Sequence, residues 1–290
     1  MSAVTDAASG KGHGDENFPV ASHLIAPRHR APIMAFYRFV RAADDVADHE
    51  TLSPDEKVRV LDGLDAALTG EGPPEPDAEP LRRALAERGL SPRHAQDLLA
   101  AFRLDARKAR YTDWDDLIGY CSLSAMPVGR FVLDVHGEDR SAWPANDALC
   151  AALQVINHLQ DCGADYRRLD RVYIPADSLA RHGATVADLG ADRASPGLLG
   201  SIREANERTV ELLRTSSAFP GLIADRRLAL EVSVIQTLAE ALTRKLRVRD
   251  PLSERVHAGK VEALAFAGLG IVRGLLAGGG RARLRPRPVP

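Results

Sequence analysis

Gln154-Val-Ile-Asn157-His-Leu-Gln160-Asp161-Cys-Gly-Ala-Asp165 places three oxygen ligands on one side of a helix and hydrocarbon around them. Asn157, Asp161 and Asp165 fall at i, i+4 and i+8, so they form a single stripe with a rise of about 6 Å per step. Leu149, Leu153, Val155, Ile156 and Leu159 flank that stripe, and the spacing therefore predicts that it faces inward. Far upstream, Arg41-Ala-Ala-Asp44-Asp45-Val-Ala-Asp48 repeats the pattern after the apolar run Ile33, Met34, Phe36, Tyr37, Phe39 and Val40. Asp44 and Asp48 share a face there, and Asp45 adds a third carboxylate.

Carboxylates four residues apart repel, at a cost of a few tenths of a kcal/mol, and aspartate is a poor helix former. Two such clusters on apolar helices therefore call for a compensating cation. Arg41, one turn before Asp44, offsets part of the charge and is placed to hold a phosphate oxygen. Oxygen-only ligands suit Mg²⁺, which keeps waters and is completed by phosphates. Asp44, Asp45, Asp48, Asn157, Asp161 and Asp165 are the expected metal ligands. Two facing stripes in an apolar cavity would clamp a diphosphate as its C–O bond breaks, with walls that keep water from a carbocation.

The rest of the chain supports an all-α architecture. Of its 290 residues, 45 % are hydrophobic, and the net charge is -2 with both signs interspersed, so nucleic acid is not an expected partner. Helix periodicity recurs over about 30–49, 54–68, 79–89, 92–110, 113–136, 146–167, 196–215, 221–247 and 258–275, and strand alternation is nearly absent. Ser53-Pro54-Asp55-Glu56 is a capping box, Ser91-Pro92 and Ser195-Pro196 repeat the device, and Thr112-Asp113 opens another helix. Asp113, Asp115 and Asp116 read as first-turn capping, and Pro127 is expected to kink the 113–136 segment. Gly70 to Pro80 is a Pro-rich surface connector. The expected division is a disordered tail over 1–14, one helical domain over 15–276, and a flexible tail over 277–290. Cys121, Cys150 and Cys162 lack metal or disulfide spacing, which fits a reducing cytoplasm. No run approaches the roughly 20 apolar residues of a membrane span. Ala263 to Leu276 and the basic Arg281 to Arg287 tail leave a peripheral contact with the inner face of a membrane open.

These motifs resemble the squalene/phytoene synthase family over roughly residues 15 to 275. The acidic clusters are similar to its two aspartate-rich motifs, Tyr120-Cys-Ser-Leu-Ser-Ala-Met-Pro-Val-Gly129 to its Tyr-Cys motif, and Arg171-Val-Tyr173-Ile-Pro175 to the stretch after its second motif. The resemblance implies the class I isoprenoid synthase fold, a helical bundle around a central cavity. It implies catalytic roles for Asp44, Asp48, Asp161, Asp165 and Tyr120. It also implies diphosphate or substrate contacts from Asn17, Tyr37, Arg41, Gln154, Asn157, Arg171 and Tyr173.

Finer features look like the hydroxysqualene-forming branch: Glu16-Asn17-Phe18-Pro19-Val20, Pro127, and Gln160 where condensing members commonly carry Arg. That branch would ionise presqualene diphosphate and quench the cation with water, in functional coupling to the synthase that makes presqualene diphosphate. A head-to-head prenyltransferase of the same family is the alternative, and a non-enzymatic helical protein that binds divalent ions is another. Gly268-Leu-Gly270-Ile-Val-Arg-Gly274 follows a helix instead of a strand, so it reads as close helix packing, and no nicotinamide cofactor is expected. His158 reads as a core histidine, and Cys162 lacks the pattern of an activated nucleophile.

Overall fold

The computed structural model describes residues 25–281, and twelve α-helices and two short 3₁₀ turns account for its regular structure. The helices are α1 (Pro27–Ala47), α2 (Pro54–Thr69), α3 (Glu79–Arg88), α4 (Arg93–Asp105), α5 (Trp114–Ser124), α6 (Met126–His136), α7 (Trp143–Leu169), α8 (Ala176–Arg181), α9 (Pro196–Ser216), α10 (Phe219–Leu222), α11 (Arg226–Val248) and α12 (Lys260–Arg281). Among the described residues there is no strand. A single parallel bridge, Arg110 to Val172, carries the extended segment after α7 alongside the one after α4. Asn17 with its Glu16–Val20 context, the 1–14 tail and residues 282–290 lie outside the described residues.

Local chemistry sets the helix ends. Ser53 Oγ accepts from Glu56 N at 3.3 Å while Glu56 Oε2 accepts from Ser53 N at 2.9 Å, the reciprocal capping box expected at α2. Asp113 caps α5 by accepting from Asp116 N, and Ser195 caps α9 by accepting from Leu198 N. The 113–136 segment is two helices, broken at Ala125 (φ -125°, ψ -48°) with Pro127 in the first turn of α6. Proline lacks an N–H to continue the ladder, so the expected kink becomes a full restart. The 92–110 segment ends at Asp105, because Ala109 and Tyr111 give their carbonyls to Val172 N and Ala176 N instead. The 221–247 segment starts late, at Arg226, where Asp225 accepts from the amides of Arg227 and Leu228. α12 continues past Leu276 to Arg281.

Two apolar clusters form the interior. One gathers α1 to α4 around Phe39, Leu61, Leu64, Leu81, Leu98 and Leu99. The other gathers α5, α7, α9 and α11 around Ile156, Leu159, Leu198, Ile202 and Leu242. Each large side chain fully buried this way contributes about 1.5–3 kcal/mol. α6 lies between them: Phe131 stacks on Phe36 at 4.0 Å on one side while Leu133 joins the second cluster on the other. The first acidic stripe belongs to α1 and the second to α7, so the seam between the clusters is where the two meet.

Gly129 permits that arrangement. A Cβ there would lie 2.0 Å from Asn146 Oδ1 and 2.7 Å from Cys150 Sγ on α7. Asn146 is buried and donates to Met126 O at 3.3 Å, so it cannot retreat without losing that bond. Gly270 serves the same purpose between α12 and α11, where a Cβ would meet the Val234 backbone at 2.5 Å; close packing is borne out at Gly270 and Gly274, whereas Gly268 has open space beside it. Gly129→Ala is expected to destabilise the fold by about 1–3 kcal/mol, read as a lowered thermal midpoint; an unchanged midpoint would contradict this packing.

Candidate active site

α7 ends at Leu169, and Asp170 adopts φ 51°, in the left-handed region that aspartate tolerates better than most residues. That turn sends Arg171 back toward the ends of α1 and α4. Arg171 is buried, 8 % exposed. Its Nη1 donates to Asp48 Oδ1 at 2.6 Å, and its Nη2 to Ala47 O at 3.2 Å and Asp105 O at 3.5 Å. Arg168 Nη2 approaches the other Asp48 oxygen at 3.4 Å, and Lys57 Nζ donates to Ala47 O at 2.8 Å. The C-terminal ends of α1, α4 and α7 thus converge on one guanidinium, which also opposes their negative dipole ends.

The carboxylates gather around this point. Arg41 bridges Asp44 (2.9 Å) and Asp45 (2.9 Å) on α1, as the sequence suggests. Asp44 is hemmed in by protein while its side chain stays 35 % exposed. Burial first, then Asp48, raises its pKa above the usual carboxylate range, and Arg41 opposes the rise. Asp165 on α7 is pushed up to about 7 by burial, by Asp161 and by Asp48 across the seam. Asp105 is pushed up to about 6 by burial, against the pull of Arg171 and a 2.9 Å hydrogen bond from Tyr120 Oη. Asp161 pairs with His257 Nε2 at 3.3 Å, from the segment before α12.

An aromatic cluster backs this acidic group. Tyr111, Tyr120 and Tyr173 have ring centroids 5.3–5.7 Å apart, and Tyr173 stacks on His158 at 3.4 Å. Burial and the Arg171 charge push His158 down to about 3, so its imidazole is neutral at ordinary pH. Gln154 lies 3.1 Å from His158 Nε2. Burial pushes the Cys162 thiol up to about 12, which keeps it a thiol at neutral pH.

Of the residues singled out in the sequence, Asp44, Asp45, Asp48, Asp165, Arg41 and Arg171 form one electrostatic group. Asp161 lies one turn from Asp165, and Asn157 one turn from Asp161 on the same face of α7. Tyr37 sits half-buried one turn before Arg41. Tyr120 reaches the group through Asp105, while Tyr173 and Gln154 both meet His158 in the aromatic cluster behind it. Gln160 is buried with neither amide atom hydrogen-bonded. The sequence reading missed Asp105, Lys57, Arg168, Tyr111 and His257. Asp105 and Lys57 sit in no motif, and nothing in the sequence prefers Arg168 over the adjacent Arg167.

The donor set fits a hard divalent cation. It is all oxygen, it comes from two rigid helices, and its members raise one another's pKa, so a cation would relieve repulsion already present.

A helical bundle that aligns two aspartate stripes in this way defines an isoprenoid synthase fold, and the squalene/phytoene synthase family profile matches residues 11–262. The chain belongs to the squalene/phytoene synthase family. It is 58 % identical over 262 residues to the hydroxysqualene synthase of Rhodopseudomonas palustris, covering 90 % of each chain. It is 55 % identical over 261 residues to that of Zymomonas mobilis, covering 89 % of this chain and 88 % of the relative. The crystal structure of squalene synthase HpnC from Alicyclobacillus acidocaldarius superposes with a TM-score of 0.72 at 32 % identity, covering 84 % and 91 % of the two chains. A dehydrosqualene synthase structure (TM-score 0.75, 20 % identity, covering 93 % and 95 %) shares the fold.

The raised carboxylates carry a signed pH dependence. Below the ordinary carboxylate value of 3.8, Asp165 is protonated in both folded and unfolded chains; as pH rises toward about 7 only the unfolded chain ionises freely. The folded state then binds more protons, so its stability falls with rising pH through that window. Metal-free protein is therefore expected to lose stability between about pH 4 and 7 in chelator and to level off above that, measured by urea unfolding. Asp165→Asn should flatten the loss, and an equally steep loss in the variant would contradict the assignment.

Proposed function

We propose that the chain ionises presqualene diphosphate and quenches the carbocation with water, giving hydroxysqualene and diphosphate. The observation that carries this reading is the 58 % identity to a hydroxysqualene synthase across nine-tenths of both chains. The convergence of the two acidic stripes supports it. Asp44, Asp45, Asp48, Asn157, Asp161 and Asp165 would hold Mg²⁺, which when bound supplies positive charge to the departing diphosphate.

The chain's own residues do the rest. Arg171 and Arg168 fix Asp48, and Arg41 fixes Asp44 and Asp45, so the α1 stripe is held in place before substrate arrives. Tyr37, Arg41, Gln154, Asn157 and, from the undescribed segment, Asn17 are proposed substrate contacts. The tyrosine faces around Tyr120 and Tyr173 would stabilise developing positive charge. In the reaction the C–O bond to diphosphate breaks and the oxygen of water bonds to the cation. One proton of that water is released and the other stays on the product hydroxyl. No hydride donor enters this balance.

Presqualene diphosphate must come from a head-to-head condensation of two prenyl diphosphates, so coupling to such a synthase is part of the proposal. No helix among the described residues is long and apolar enough to cross a membrane. Leu264, Val272 and Leu275 are exposed on α12, which supports a peripheral contact with the lipid from which so apolar a substrate would be drawn.

Incubation with presqualene diphosphate and Mg²⁺ in ¹⁸O-water, with and without NADPH, tests the reaction. The expected product is an alcohol carrying one ¹⁸O, formed at the same rate in both. Squalene formed only with NADPH, or rapid consumption of farnesyl diphosphate alone, would reject the proposal in favour of a condensing or reductive enzyme. For the site, Asp161→Asn is expected to lower kcat by at least about a hundredfold with its circular dichroism intact; near wild-type turnover at limiting Mg²⁺ would remove Asp161 from the clamp.

A further inference from the structure

A second group of ligand-type side chains lies at the other end of α1. His29 in its first turn, His136 in the last turn of α6 and Asp225 at the cap of α11 bring three ligand atoms within 4.8 Å of one another. His29 stands fifteen residues before Asp44, about 22 Å along the helix, so this group is separate from the active site.

The histidines are oriented as metal ligands are. His136 Nδ1 lies 2.8 Å from Val132 O, a contact that requires its proton on Nδ1. The lone pair is thereby left on Nε2, which is buried and has no hydrogen-bond partner. A ring nitrogen fixed by a carbonyl while the other awaits a partner is the usual outer support of a metal-bound imidazole. His29, 6 % exposed, packs against it with ring centroids 4.1 Å apart. Asp225 is held by the amides of Arg227 and Leu228, and Glu138 accepts from Ala224 N and Asp225 N at 2.7 Å each, which locks the α6–α11 corner.

A cation already occupies part of this place. The Arg28 guanidinium donates from Nε to His29 Nε2 at 2.9 Å, and its Nη2 lies 3.9 Å from Asp225 Oδ2. It therefore bridges two of the three ligands from the solvent side, and at 73 % exposure it can swing away. Arg88 Nη1, at 3.5 Å from His29 Nδ1, is the competing charge that remains.

We propose that His29, His136 and Asp225 form a binding site for a borderline divalent transition ion such as Zn²⁺ or Co²⁺, with Arg28 as its displaceable stand-in. Two imidazoles and one carboxylate select this class over Mg²⁺, which prefers oxygen alone. Such an ion sets its ligands about 3.3 Å apart in a tetrahedron with bonds near 2.0 Å, so side-chain rotations of an ångström or so close the site. Water completes the shell, and the ion staples the start of α1 to the α6–α11 corner.

The test uses the full-length chain stripped with chelator and then held in millimolar Mg²⁺, so that the aspartate stripes are satisfied. Co²⁺ is titrated while visible d–d absorption is followed, and Zn²⁺ is then used to displace it. One Co²⁺ per chain is expected. His136→Gln and Asp225→Asn, which keeps the helix cap, should each weaken binding at least tenfold, and Arg28→Ala should tighten it. X-ray absorption of the Zn²⁺-loaded wild type should count two imidazoles, a readout that needs no variant. Turnover in Mg²⁺ should stay unchanged in all three variants. No Co²⁺ spectrum, one that survives both ligand variants, or weaker binding in Arg28→Ala would each overturn the site.

Discussion

One buried guanidinium organises the active end of this protein. Arg171 reaches the Asp48 carboxylate and the last carbonyls of α1 and α4, and it does so because Asp170 takes a left-handed turn at the end of α7. A buried cation is stable only where several acceptors meet it. The three helix ends are therefore held to one another by the same contacts that hold Arg171. Removing it would leave Asp48 with Arg168 alone and Asp105 without its strongest opposing charge, and would loosen the relation between the stripes.

That relation is the functional quantity. Each stripe sits on a helix committed to a different apolar cluster, α1 to the first and α7 to the second. The helix that joins the clusters, α6, starts at a helix break set by Pro127 and lies against α7 through Gly129. The Tyr120–Gly129 segment thus serves two ends. Tyr120 supports Asp105 from below, and the residues that follow set how far apart the two halves of the site can stand.

The all-α class was legible in helical periodicity, and five of the six proposed metal ligands, all but Asp45, stood out because residues four apart share one face. The isoprenoid synthase fold was legible only through the resemblance of the motifs to a known family. Asp105 and Lys57 were invisible for the opposite reason: each reaches the site through tertiary packing, with no local pattern around it. The 92–110 segment misled because its periodicity continues beyond Asp105. There the carbonyls of Ala109 and Tyr111 turn to the segment after α7, a partner that local sequence cannot announce. Pro127 was readable as a kink, but whether the chain bends or restarts depends on the packing of α6 between two cores. The His29–His136–Asp225 group could not be read at all, since its members come from three distant helix ends.

The central claim is that the two stripes act as one clamp on a single diphosphate. Mg²⁺-dependent binding of inorganic diphosphate to Asp44→Asn, Asp165→Asn and the double variant measures this directly, because residues that share one ligand are energetically coupled. Each single variant should weaken binding strongly, and the double variant should be little worse than the weaker single one. Losses that simply multiply, or diphosphate binding that ignores either substitution, would contradict a shared clamp.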